Sequence, residues 1–325
     1  MFEFLLKASI SLLALVLSLT ASAQEEAGKY PSKPVTMVVP YAAGSSTDLE
    51  GRLYANKLHE TLGQPFVLDF KPGPGNIAGN EVLLKAAPDG HTLMFTTASY
   101  SVIPLSFPAL PYDMYKVLAP VSLISKRYGL MVVHPSLPIR NMEEYIAYAK
   151  ANPGKLNMST SGAGGNQHLT GLWLNSVTGI DVTMVHYKSG PTGILDLMAG
   201  RVQAYIGTRG LVLPHVKSGK LRAIAQTNLV RHPEMSEPRT ASETVPGFEY
   251  ASYLALLAPA RTPASIRSRL ASEINRIVKS PDIVTKLAND MELIGSTPEE
   301  FQRLYLAEHE RWKKIVKEAG VKFVD

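Results

Sequence analysis

Cysteine is absent from all 325 residues, which excludes disulfides, thiolate metal sites and cysteine nucleophiles together. Stability therefore rests on packing alone. Histidine is sparse and dispersed, at 59, 91, 134, 168, 186, 215, 232 and 309, with no pair at i, i+4, so no metal site is expected. Three catalytic signatures are missing as well: the G-x-S-x-G elbow, the H-E-x-x-H zinc helix and the G-x-x-x-x-G-K-[ST] phosphate loop. Positive charge is modest, a net +5, with Lys126-Arg127 and Lys313-Lys314 as adjacent basic pairs. That distribution excludes a nucleic-acid surface but favours the approach of an anion.

Long apolar runs are missing after the amino terminus. Lys7, the apolar stretch Ala8 to Leu19 and the small-x-small pattern Ala21-Ser22-Ala23 read as an export signal, cleaved after Ala23. The stretch is shorter than the roughly 20 residues a membrane span needs. The mature chain is therefore expected to be soluble outside the cytoplasm.

The most informative segment is Val35 to Asp48, VTMVVPYAAGSSTD. Five apolar or β-branched residues predict a strand buried on both faces, ended by Pro40. Ala42, Ala43, Gly44, Ser45 and Ser46 then make a small-residue loop. Thr47 or Asp48 caps the helix that follows. A strand feeding a helix amino terminus through such a loop gathers N–H donors and the positive end of a helix dipole, a cradle for a carboxylate or phosphate.

The same grammar recurs at Leu156 to Thr160, followed by Ser161-Gly162-Ala163-Gly164-Gly165-Asn166-Gln167-His168. Between the two loops, strands at 66–70 and 91–97 and two helices predict a β-α-β-α-β unit. Ala98 to Met114, with three prolines, reads as an irregular connection. Segments 121–124 and 130–133 read as a strand pair or one interrupted strand. A second α/β unit runs on to Thr227, with strands at 182–186, 202–206 and 222–227. Asn228 to Glu249 reads as the return crossing, 250–257 as a strand, and two amphipathic helices close the chain, the second ending at Gly320. Trp312 falls on the inner face of that last helix and is expected in the core. Gly73-Pro74-Gly75-Asn76-Ile77-Ala78 matches a dinucleotide fingerprint in form, but proline between the glycines stiffens the turn and the unit is not the first of its domain. No cofactor is expected.

The fold class is thus α/β: a two-domain clamshell, each domain a mainly parallel sheet flanked by helices. Residues 24–123 and 246–325 are assigned to the first domain and 124–245 to the second. Several motifs resemble the Bug-type substrate-binding family of tripartite tricarboxylate transporters: Tyr30-Pro31-Ser32-Lys33-Pro34, Ala86-Ala87-Pro88-Asp89-Gly90, Leu110-Pro111-Tyr112-Asp113, Val185-His186-Tyr187-Lys188, Pro214 to Ala223 and Leu257-Ala258-Pro259-Ala260. The resemblance implies a periplasmic binding protein, not an enzyme, that holds a small organic acid between two domains. It implies delivery to inner-membrane permease subunits. A monomer is taken as the default state.

Carried over, the binding loops are Tyr41 to Asp48 and Ser161 to His168, with Thr97 beside them. Asn76 stands where the family usually has glycine, and Gly207-Thr208-Arg209 where an Asp-Asn pair is common. The missing acid disfavours an amino-acid ligand, and Arg209 is a candidate partner for a second carboxylate. Two alternatives keep other roles open. One is a sensor that presents ligand to a membrane receptor. The other is an exported hydrolase using Ser46, His168 or Asp48.

Overall fold

The computed structural model describes residues 29–318 apart from 98, 233, 234 and 251; the export signal read over 1–23 lies outside them. Two sheets organise the chain. The first is six-stranded: β1 (Val35–Val39), β2 (Phe66–Phe70), β3 (Thr92–Thr97), β4 (Leu118–Arg127), β10 (Ser252–Pro259) and β11 (Met291–Leu293), in the order β11-β4-β10-β3-β1-β2. The second holds β5 (Gly129–Val133), β6 (Leu156–Thr160), β7 (Val182–His186), β8 (Ala204–Thr208) and β9 (Arg222–Gln226), in the order β7-β6-β8-β5-β9.

Both sheets are mixed rather than mainly parallel. Helix-linked strands pair in parallel, β1 with β2 and β3, and β6 with β7 and β8. The strands that carry the chain between lobes, β4, β5 and β10, arrive without a crossover helix and pair antiparallel. The expected strand pair at 121–124 and 130–133 is therefore two strands in different sheets, and the outgoing crossing falls at Tyr128 rather than near 124.

Local sequence explains the helices that face the centre. In α1 (Ser46–Leu62) the side chain of Ser45 accepts the N–H of Asp48, and Gly63 ends the helix at φ 79°. α2 (Ile77–Lys85) follows Asn76, a residue at φ 55°. The stretch 98–114 is not irregular: it contains α3 (Ser99–Ser106), followed by the short α4 (Met114–Val117). Pro104 lies inside α3 and cannot bond the carbonyl four residues back. That carbonyl, on Tyr100, instead accepts the Tyr305 hydroxyl at 3.3 Å. Burial of Tyr100, Val102 and Ile103 outweighs the proline.

The second lobe repeats the pattern with α5 (Met142–Ala151), α6 (Asn166–Thr178), α7 (Gly190–Met198) and α8 (Arg209–Lys217), and the chain ends through α9 (Ala264–Val278), α10 (Pro281–Leu287) and α11 (Pro298–Glu318). In α9 the periodic residues Ile266, Leu270, Ile274, Ile277 and Val278 are all buried. Trp312, 2% exposed, lies in the core that also contains Phe248 and, from the second lobe, Trp173.

Candidate functional site

A cleft of about 660 Å³ lies between the lobes and draws its walls from both. Each wall is a set of loops at the carboxyl ends of parallel strands, where an open α/β sheet leaves a crevice. The amino ends of five helices reach the lining: Ser46 and Thr47 of α1, Asn76 before α2, Asn166 and Gln167 of α6, Gly190 and Pro191 of α7, and Thr208 with Leu211 at α8. The first turn of a helix has N–H groups without intrahelical partners and a partial positive charge. Among the described residues no Asp or Glu lines the cleft. Its full charges are Arg127 and Lys188, and Arg127 is already engaged, its Nε 3.1 Å from both Glu50 oxygens and its Nη1 3.3 Å from Ser252 Oγ. The helix amino termini add oriented peptide dipoles to the charge of Lys188 in the lining.

The two predicted loops are built alike. In the first lobe the Gly44 N–H donates to Asp48 Oδ2 at 2.8 Å; in the second the Gly164 N–H donates to His168 Nδ1 at 3.0 Å. Each loop is thus closed by a side chain four residues on, one turn into its helix. Asp48 also pairs with Arg52 Nε at 2.7 Å. Gln167 holds the second loop to its sheet: its Oε1 accepts from Ser161 N at 2.7 Å and Ser161 Oγ at 2.6 Å, and its Nε2 donates to the carbonyl of Ile206.

Of the residues singled out in the sequence, Tyr41, Ala42, Ser45, Ser46, Thr47, Thr97, Ser161, Gly162, Ala163, Asn166, Gln167 and Thr208 come together in the lining. Tyr41 and Thr97 are joined hydroxyl to hydroxyl at 2.6 Å. Ala43, Gly44, Asp48, His168, Gly207 and Arg209 do not reach it. Asp48 and His168 face their own loops, and a side chain on Gly207 would collide with the Tyr205 ring at 2.1 Å. Arg209 is directed away from the cleft: its Nη1 pairs with Asp290 Oδ1 at 2.8 Å and also reaches the carbonyl of Asn289. It ties α8 to the first lobe and is not placed to meet a second carboxylate.

The lining also contains residues that the sequence did not nominate. His186 ends β7 and Tyr187 to Pro191 follow it in a third strand-loop-helix repeat, whose signal was Ser189-Gly190-Pro191 at a helix start. Gly73, Gly75 and Asn76 sit where a rigid turn was expected. Arg127 and Ser252 arrive on the crossing strands and have no local sequence signal.

Burial, and then the neighbouring His186, push the His168 pKa down from 6.5 to about 4. The rings meet edge to face with centroids 4.5 Å apart. Because the native value is depressed, unfolded His168 takes up a proton first as pH falls. The stabilisation by the neutral ring is complete above about 6.5 and lost progressively toward about 4. Thermal melts across that window should show a pH slope that His168→Gln reduces; identical slopes in the two proteins would refute the coupling.

Two mixed α/β lobes enclosing a dipole-lined cleft define a solute-binding protein of the clamshell type. The family model described as "Tripartite tricarboxylate transporter family receptor" matches residues 51–321, and the chain belongs to that family. It is similar to the protein BugT of Bordetella pertussis, 32% identical over 305 residues, covering 93% of this chain and 94% of the relative. A protein from a tcbD-tcbE intergenic region of Pseudomonas sp. is 31% identical over 309 residues, with 94% and 92% covered. Among solved structures, an R. palustris protein solved with adipate superposes with a TM-score of 0.83 at 33% identity, over 90% of this chain and 98% of that one. MatC from Rhodopseudomonas palustris, solved with malate, gives 0.82 at 28% identity over 88% and 100%. The family's solute-binding proteins are periplasmic. Among the described residues no helix is long and apolar enough to cross a membrane.

Proposed function

We propose that the protein captures a small organic acid in the interlobe cleft and delivers it to the inner-membrane permease subunits of a tripartite tricarboxylate transporter. It acts in the periplasm as a monomer, after removal of the leader behind Ala23, and without catalysis. The observation that carries this reading is the convergence of five helix amino termini on a cleft that, among the described residues, is lined by no carboxylate. A carboxylate there accepts N–H donors already oriented toward it, and its charge is matched by dipoles that need no reorganisation. Adipate and malate in the two similar structures are of this chemistry. Hydrolysis is disfavoured by the engagement of two of the three candidate groups: Asp48 and His168 close their loops, while Ser46 lines the cleft without either beside it as a base.

The test is a thermal-shift screen of the mature protein against carboxylic acids and their amides. An acid present at about 100 times its dissociation constant adds roughly 2.7 kcal/mol to the stability of the folded state. Acids are expected to raise the melting temperature while the matched amides do not. Equal shifts from acid and amide would overturn the carboxylate reading, and turnover of a bound acid would overturn the non-catalytic one.

A further inference from the structure

We propose that Asn76 is a ligand-selecting residue: its side-chain amide donates a hydrogen bond to the acid held in the cleft. This role rests on the reading of the cleft as a carboxylate site and names a side chain that discriminates there. Asn76 ends the loop between β2 and α2, lines the cleft and is 5% exposed. Its Nδ2 is buried and has no hydrogen-bond partner among the described residues. Other buried polar side chains of the lining are engaged within the protein: Gln167 by Ser161, Arg127 by Glu50 and Ser45 by the N–H of Asp48. A buried donor without an acceptor is costly, and folded chains rarely keep one that has no use.

The backbone agrees. Asn76 is the one non-glycine residue with positive φ among the described residues, at 55°, where an L side chain is strained and asparagine is among the better tolerated. Strain of this kind gathers at binding sites. Neither local role of an asparagine accounts for the amide. As the residue before a helix it would ordinarily hold extended backbone and accept an N–H of the first turn. Here the backbone is left-handed and the side chain makes no capping bond. The turn itself is closed by the main chain, the Asn76 N–H donating to the carbonyl of Gly73 at 3.2 Å, and glycine would meet that φ without cost. A half-turn about χ2 exchanges the two ends of the amide, so the group turns its N–H toward an anion. Main-chain donors are common to any sequence with this fold; a side-chain donor is what one sequence adds to tell acids apart.

Asn76→Gly and Asn76→Asp separate a ligand role from a structural one. Glycine accepts the backbone and removes the amide. The ligand-free melting temperature is therefore expected to hold or rise, while the dissociation constant of an acid rises about tenfold, the effect of losing one hydrogen bond to a charged group. Aspartate keeps the size and tolerates the same φ, but it sets a carboxylate against a carboxylate and should weaken binding further. A clear fall in the ligand-free melting temperature of Asn76→Gly would show that the amide serves the fold and would overturn the proposal. Contact is read by titrating succinate, glutarate and benzoate into protein carrying nitrogen-15 in asparagine alone. The Asn76 NH2 pair, recognised by its absence in Asn76→Gly, should shift together with the backbone N–H of Asn166, which lines the second lobe's wall of the cleft. An acid that moves the Asn166 signal and leaves the Asn76 pair still would overturn the role of Asn76 with the carboxylate reading intact. If none of these acids moves either signal, that reading falls and the role of Asn76 with it.

Discussion

Replacing Glu50 by alanine is expected to lower stability by about 3–5 kcal/mol, the range found when one partner of a buried ion pair is removed. Arg127 is 3% exposed and lies against Glu50 on the second turn of α1. Alone, its guanidinium would keep only the 3.3 Å bond to Ser252 among its contacts described here. Arg127→Met in the Glu50→Ala background should restore part of the loss, because an uncharged side chain removes the stranded charge rather than the packing. Equilibrium urea unfolding of the three variants reads this directly. Binding should move the other way. Arg127 lines the cleft, so losing Glu50 adds uncompensated positive charge there and should tighten the binding of an acid. A loss of stability under about 1 kcal/mol would place the pair with ordinary solvated surface pairs.

The same pair marks the limit of what the sequence discloses. The loop Tyr41 to Thr47 and its counterpart at Ser161 to Gln167 were legible because each is a local device: strand, small residues, capped helix, all within one stretch of chain. Their parallel closure by Asp48 and His168 follows from the same spacing, although both side chains serve the loop rather than the cleft. Arg127 and Ser252 were illegible because their place depends on which strands cross between sheets, and nothing within a few residues of either records that. Arg209 failed for a related reason. A lone arginine near an anion site reads as a ligand group until the fold brings Asp290 to it, 81 positions away in the chain. The helix α3 was hidden by Pro104, whose cost was offset by Tyr305, again a distant partner. Periodicity, in contrast, located α9 and α11 because an amphipathic face is written into consecutive residues.

That periodicity assigned Trp312 to a core without revealing which one. It is carried by α11, whose Tyr305 bonds to α3 in the first lobe, but its indole lies edge to face on Trp173 of the second lobe, centroids 6.0 Å apart, with Phe248 stacked on Trp173 at 5.0 Å. Trp312→Ala is expected to cost about 3–5 kcal/mol, the usual range for deleting a buried large aromatic. The loss falls on a contact between lobes, so it should also divide the unfolding transition into two, the lobes melting separately once their shared aromatic cluster is broken. Trp173 and Trp312 are the chain's two tryptophans, so intrinsic fluorescence in the parent reports this contact, and in Trp312→Ala the remaining indole reports the second lobe alone. Far-ultraviolet circular dichroism follows both lobes, and the two signals should part company in the variant while coinciding in the parent. Trp312→Phe refills most of the volume and should restore much of the stability and a single transition. Coincident transitions in Trp312→Ala, with a loss under about 1 kcal/mol, would mean that the crossing strands hold the lobes together without this helix.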